Sequence, residues 1–583
     1  MKMRWWITAT VFLLVLVLAT LPGVRPWVAR IRRLITRWSS SPAVAMRAIF
    51  ILAIVLYALP SIVFRVPSPV VHDEFAYLLQ GDTFFHGRLS NPPHPLARFF
   101  ETFHVLQSPT YAAKFPPGLG MMLAIGYAVG LPLAGVWLSL ALGCVAIHWM
   151  LRAVMPNRWA TLGALLTAIH PTVVWFSQSY WGGGVSIFGG SLLTGAVLRV
   201  QLLSHRDHTK HGAGEEKSIE HLRLGLVAGL GMGILALSRP FEGMLFSAAC
   251  GIAMLIAAWR AGSLKSLLAR FVPAACVIPV LTVGWFMYYD WRVTGKPLVM
   301  PYVLHTARYM VAPLFFWQSI PPTPLYPNEQ MQQFHLLTEY REYADATGWR
   351  GYWLGALIRG GMIGWAYFRP AVLALPLVAT MVAARRSARL RPVVVPAILI
   401  CLAVLLIHLL SCPWMRIAYM APLYGLVIML LAIGMRLVGA WRLNGHPLGR
   451  SVVHAVVAVH VLSGAFILVD CARGNATLAI SLRDDFLAQM RRQPGKHLVL
   501  VRYTADHSPM QEWVYNGADI DAQDVIFARD LGAGEDEPLL EYYRDRTIWI
   551  INVDQHHATL LPAPELAHHD RKSTPQLSTI NDE

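Results

Sequence analysis

Residues 71–120 read VHDEFAYLLQGDTFFHGRLSNPPHPLARFFETFHVLQSPTYAAKFPPGLG and lie between two long apolar segments. Near its start the stretch carries an adjacent acid pair, Asp73 and Glu74. It adds Asp82, Glu101, four histidines (His72, His86, His94, His104) and Lys114 just ahead of Pro116-Pro117. A connection of about fifty residues is too long to be a plain turn and is either functional or disordered. Its aromatics, among them Phe75, Tyr77, Phe84, Phe85, Phe99, Phe100, Phe103 and Tyr111, speak against disorder. The stretch reads as a folded cap over a site at one membrane face.

The flanks decide what the cap sits on. The chain has 583 residues, 55% hydrophobic and 14% charged, with mean hydropathy +0.47. A soluble domain carries about 25% charged residues, so this is a polytopic α-helical membrane protein. Upstream, residues 44–64 form a span, preceded by Arg25, Arg30, Arg32, Arg33 and Arg37. Short loops rich in arginine stay in the cytoplasm, which puts 71–120 outside. Residues 118–130 are apolar but short and read as an outer-surface helix. Further spans follow at 132–151, 159–176, 183–203, 222–238, 243–259, 271–289, 370–384, 393–411, 417–435 and 451–470. Residues 352–368 read as a surface or re-entrant helix interrupted by Arg359, Gly360 and Gly361. Residues 5–22 are a further span or a signal sequence. The total is about 11–12 transmembrane helices of roughly 20 residues.

Charge supports the topology. The net charge is +16, but residues 471–583 carry −7 and residues 1–470 carry +23. A basic membrane part with an acidic tail fits two compartments and excludes nucleic acid as the partner. Of the acids before residue 471, only Asp207, Glu215, Glu216 and Glu220 fall on the cytoplasmic side. None falls at mid-span, where a carboxylate is expensive. That speaks against a proton-coupled pump. The organisation is therefore an N-terminal hydrophobic segment with its basic flank (1–43), a transmembrane domain (44–470) with outer loops at 65–131 and 290–369, an outer soluble α/β domain (471–560) and a disordered tail (561–583). In the soluble part HLVLVRY (497–503), DVIFARDLG (524–532) and TIWIINVD (547–554) read as strands and EPLLEYYRDR (537–546) as a helix. Cys412 and Cys471, at the ends of apolar runs on the outer face, are the one pair placed for a disulfide, and the sequence favours two unpaired thiols over it.

The outer segments supply the candidate chemistry. One carboxylate of the Asp73-Glu74 pair can stay ionised and accept a proton from a hydroxyl. Lys114 can meet a lipid phosphate as a point charge. Arg239 and Arg416 are each the only basic residue of a short outer loop and are candidate phosphate ligands, or helix-end anchors. Tyr180 and Trp181, ahead of Gly182-Gly183-Gly184, together with Glu242, Tyr302 and His305, are candidates to line a sugar site. The histidine spacings match no zinc signature, so no metal ligand is assigned, and a divalent cation stays open as the one cofactor. No glycine-rich phosphate fingerprint appears, which argues against a nucleotide donor.

The order of these features resembles the GT-C glycosyltransferases, in particular the protein O-mannosyltransferase and lipid A aminoarabinose transferase branch. The likeness covers residues 44–470 in layout. It is motif-level at Asp73-Glu74, at Lys114-Phe115-Pro116-Pro117 and, loosely, at 416–422 (RIAYMAP). Ala113 stands where the family often has an acid, and Phe115 is inserted ahead of the double proline. The resemblance implies Asp73 with Glu74 as the catalytic acids and Lys114 on the carrier phosphate, helped by Arg239 or Arg416. It further implies transfer of a sugar, with inversion, from a polyprenyl-phosphate-linked donor to a glycolipid, glycan or protein acceptor. The setting would be the outer, periplasmic face of the cytoplasmic (inner) membrane, with the C-terminal domain on that side. Two other classes stay open. A lipid-linked glycan ligase or polymerase would lean on arginine and histidine, and a transporter or flippase would need polar groups at mid-span.

Overall fold

A computed structural model describes residues 14, 25–69, 71–206, 214–477, 481–504, 507–532, 534–554 and 558–561. The expected 5–22 segment, but for Leu14, and the tail beyond Leu561 lie outside these residues. Nine described helices are long and apolar enough to cross a membrane: Pro42–Val63, Leu133–Leu151, Gly184–Leu203, Ser218–Ser238, Pro240–Arg260, Leu264–Thr294, Arg391–Ser411, Ile417–Val438 and Leu448–Gly474. Two bent pairs raise the number to as many as eleven, so the chain is a multi-pass membrane protein.

The bends have local causes. Where one straight span is expected at 159–176, Asn157–Ala168 and Pro171–Ser177 meet at 54°. Pro171 has no N–H to continue the helix, and the His170 ring accepts from Thr172 N at 3.2 Å, capping the new start. Gly348–Phe368 and Ala371–Arg386 meet at 87° across Arg369-Pro370, where proline again forbids continuation. Inside the bundle small residues let backbones touch. A Cβ on Gly190 would sit 2.4 Å from Pro422 O, so Gly184–Arg206 lies directly against the Ile417–Leu423 turn.

The cap is ordered. Its helix, His72–Phe85, is followed by the hairpin β1 (Val105–Leu106) and β2 (Ala112–Ala113) and then by Gly118–Ala128. The two helices close on a buried amide. Gln80 Nε2 donates to Phe115 O at 2.8 Å and to Tyr289 OH at 3.1 Å. A Cβ on Gly120 would come 2.5 Å from Gln80 Oε1.

Helix Leu448–Thr477 carries the last span beyond residue 470 into the C-terminal domain. There β3 (His497–Tyr503) lies between β4 (Val525–Arg529) and β5 (Thr547–Val553), parallel to both. The edge strand β6 (Ala558–Leu561) pairs antiparallel with β5 and has no counterpart in the sequence reading. All six cysteines are free thiols, Cys412 and Cys471 included. The domain docks on the cap through its 507–518 segment. Phe75 stacks on Tyr515 with centroids 4.2 Å apart, Ala518 N donates to Asp82 Oδ2 at 2.7 Å, and Tyr111 OH donates to Asn516 O at 3.1 Å. Cap and C-terminal domain therefore occupy the same side of the bundle.

Candidate active site

The cap helix begins at an extended Val71. Glu74, three residues on, reaches back so that Oε2 accepts from Val71 N at 3.2 Å. This is the acid half of a capping box. Its Oε1 accepts from Tyr180 N at 2.8 Å, and the side chain is buried. Glu74 thus ties the helix start to the 177–182 turn, a different task from the catalytic one expected. Asp73 keeps 29% of its side-chain surface. Adjacent positions on a helix point about 100° apart, so one acid faces the protein and the other the site.

The hairpin brings the next groups in. Val105 pairs with Ala113, and one step on Lys114 N donates to His104 O at 3.0 Å. Residues ten apart in sequence thereby face each other. His104 takes φ +63, the left-handed region, which costs about 1–3 kcal/mol for such a residue. Its Nε2 lies 3.7 Å from Asp73 Oδ2. Lys114 is buried. Its ammonium sits 5.0 Å from the Tyr302 ring centroid and 5.5 Å from that of Phe115, and it makes no hydrogen bond or ion pair with the described residues.

Arg239 caps helix Pro240–Arg260, with its guanidinium 4.6 Å over the Tyr419 ring. Arg416 precedes the Ile417–Leu423 turn and grips Glu342 in a fork, at 2.7 and 3.0 Å. All three cations act on Asp73. Burial raises its proton affinity above the usual carboxylate range, while Lys114, then Arg416 and Arg239, pull it back. Burial lowers the pKa of Lys114 against the opposing pull of Glu339 and Asp73. A partly open carboxylate within the field of three cations is suited to taking a proton beside an anion that develops charge.

The other expected lining residues divide. Tyr302 carries the Lys114 ammonium, and His305 is fully buried behind His104, ring centroids 5.9 Å apart. Glu242 follows Arg239 and lies 3.4 Å from His408 Nδ1. Tyr180 and Trp181 are not placed as a sugar platform. Tyr180 OH donates to Pro67 O at 2.9 Å, and Trp181 packs edge-on to Trp175. Sequence reasoning missed Tyr419, which is within electrostatic reach of Arg239, Arg416 and Asp73, and the 335–342 segment with His335, Glu339 and Glu342. Tyr419 lies inside the RIAYMAP stretch at 416–422, whereas no local pattern marks the residues of 335–342. Among the described residues no group of three or more His, Cys, Asp or Glu side chains is arranged to hold a metal ion.

Cap, bent helix pairs, many spans and same-side C-terminal domain together have the fold of the GT-C glycosyltransferases. Among solved structures the chain is similar to ArnT from Cupriavidus metallidurans, solved bound to undecaprenyl phosphate. The match has 15% identity and a TM-score of 0.50, over 87% of this chain and 92% of that one. It also matches the Archaeoglobus fulgidus oligosaccharyltransferase tethered to an acceptor peptide, at 12% identity and TM-score 0.45, over 88% of this chain and 69% of that one. No protein-family model and no curated protein matches the chain.

Proposed function

We propose that this protein is a membrane glycosyltransferase that moves a sugar from a polyprenyl-phosphate donor to an acceptor hydroxyl, with inversion. The observation that carries this reading is the Asp73 carboxylate within the field of Lys114, Arg416 and Arg239. The shared fold with a protein solved on undecaprenyl phosphate supports a carrier of that chemistry. Asp73 accepts the acceptor's proton as the new C–O bond forms on the anomeric carbon. The anomeric bond to phosphate breaks on the opposite side, and its electron pair goes to the phosphate. Lys114, Arg239 and Arg416 stabilise the dianion that results. For Arg416 this requires the bidentate fork to leave Glu342, a pair whose partners are both 40% exposed and so within reach of an incoming phosphate.

The test uses the protein in nanodiscs with a panel of undecaprenyl-phosphate-linked monosaccharides covering neutral, amino and uronic sugars. The wild type should consume one of them, and Asp73→Asn should lose turnover by about 10²-fold or more. Equal turnover by D73N and wild type, or consumption of no donor, would overturn the assignment. Accumulation of a labelled lipid across a sealed bilayer, unaffected by D73N, would instead indicate a transporter.

A further inference from the structure

Behind Asp73 lies a row of histidines that the proposed transfer step does not use. His104 faces Asp73, and His305 follows, with ring centroids 5.9 Å apart. His335 comes next at 6.3 Å. It ends the row on Glu339, Nδ1 to Oε2 at 2.5 Å. His305 and His335 are fully buried and His104 nearly so. Four ring nitrogens along the row have no hydrogen-bond partner among the described residues: His104 Nδ1, both nitrogens of His305, and His335 Nε2.

Buried polar atoms are nearly always paired, and leaving one unpaired is destabilising. A purely structural core at this place would be better served by phenylalanine, which already surrounds the row as Phe103, Phe115 and Phe334. Side chains that can donate at one nitrogen and accept at the other have instead been kept in line, from the carboxylate at the site to one with 13% of its side chain exposed.

We propose that His104, His305, His335 and Glu339 form the proton outlet of Asp73. The inference rests on the transferase reading above. Each turnover leaves one proton on Asp73, taken from the acceptor hydroxyl. In the outlet step each ring first turns toward the next, since no two of them are hydrogen-bonded at rest, and that proton then passes to His104 Nε2 while the proton on Nδ1 moves to His305. His305 releases one from its other nitrogen to His335 Nε2, and the proton on His335 Nδ1 goes to Glu339. Atoms and charge balance. Asp73 is again a carboxylate, Glu339 is protonated until water takes the proton, and each ring is left as its other tautomer, to be reset by turning. These residues touch no substrate and act through Asp73.

Burial, then Lys114, keeps His104 and His305 well below the usual histidine range, with His72 and Arg308 adding to the effect on His104 and His305 respectively. Both rings are therefore neutral, as the handover requires. Burial would raise the pKa of Glu339, but His335, Lys114 and His72 hold it below the usual range, so the proton does not rest there, and its release to water is the step that draws it away from Asp73. Arg416 and Arg239 are the remaining charges on Asp73.

The experiment measures steady-state turnover of the donor accepted by the wild type, in nanodiscs, in H2O and D2O. For His305→Phe we expect kcat to fall about tenfold or more. The donor KM should stay within about twofold, the solvent deuterium isotope effect should rise, and the unfolding temperature should not fall. His305→Ala should regain turnover with added imidazole. That rescue decides the matter should H305F not fold. Wild-type kcat and isotope effect in H305F, or no imidazole rescue in H305A, would overturn the outlet. D73N run alongside separates the two ideas: active D73N removes the transferase reading itself, whereas inactive D73N with fully active H305F removes only the outlet.

Discussion

Replacing Lys114 by Met keeps a flexible apolar stem against Tyr302 and Phe115 and removes the charge. The structure sets the expected size of the effect. Lys114 is the largest of the three groups that oppose the burial-driven rise in Asp73 proton affinity, and its ammonium has no hydrogen-bond or ion-pair partner among the described residues. Loss of one preorganised charge beside a developing oxyanion lowers kcat about 10²–10³-fold, about 2.7–4 kcal/mol. The pH dependence gives an independent reading. Asp73 must be ionised to accept a proton, so turnover is lost as pH falls through its raised pKa. Without Lys114 that pKa climbs further, and the acidic limb moves to higher pH. The alkaline limb set by deprotonation of Lys114 disappears. Stability responds as well. The lysine pKa is lowered on folding, so between that value and the ordinary lysine pKa the unfolded chain binds more protons. Wild-type stability must therefore rise with pH through that window, and the Met variant must lose the rise. The assays are donor consumption against pH and thermal unfolding against pH, both in nanodiscs. An acidic limb that stays in place in K114M would refute the pairing of Lys114 with Asp73, whatever happened to kcat.

Two further predictions concern the frame of the site. Glu74→Ala leaves the buried N–H groups of Val71 and Tyr180 without their acceptor. It should destabilise the protein by about 1–3 kcal/mol, seen as a lower unfolding temperature, and a parallel loss of undecaprenyl phosphate affinity would contradict a purely structural task. Arg529→Met strands the Glu512 carboxylate, whose buried ion pair is 2.6 Å long. About 3–5 kcal/mol of destabilisation follows. Because Arg529 also donates to Glu101 O in the cap, hydrogen exchange should speed up in residues 97–106 together with β4, and exchange confined to β4 would deny the coupling.

The fold was legible wherever one local signal dominated. Apolar runs bounded by arginines marked the spans, and buried runs such as HLVLVRY and TIWIINV marked β3 and β5. The acid of the first cap turn and the lysine before the double proline were visible as motifs. Their partnership with Arg239 and Arg416 was legible only because those were solitary cations on outer loops. What stayed hidden depends on contacts remote in sequence. The separate tasks of Asp73 and Glu74 are set by the Tyr180 N–H, more than a hundred residues away. The His104–His305–His335 row joins two outer loops whose sequences show no common period. The docking of the 507–518 segment is made largely by backbone groups, such as Pro509 O accepting from His72 at 2.7 Å, and these leave no trace in composition.

In the proposed reaction one ionised carboxylate and three cations meet around a lipid phosphate. Comparing undecaprenyl phosphate affinity and donor turnover in D73N tests it most directly, since that change removes negative charge from the phosphate's surroundings and removes the base together. Undecaprenyl phosphate should bind equally or more tightly, with turnover lost by about 10²-fold or more. Weaker binding with turnover intact would contradict it.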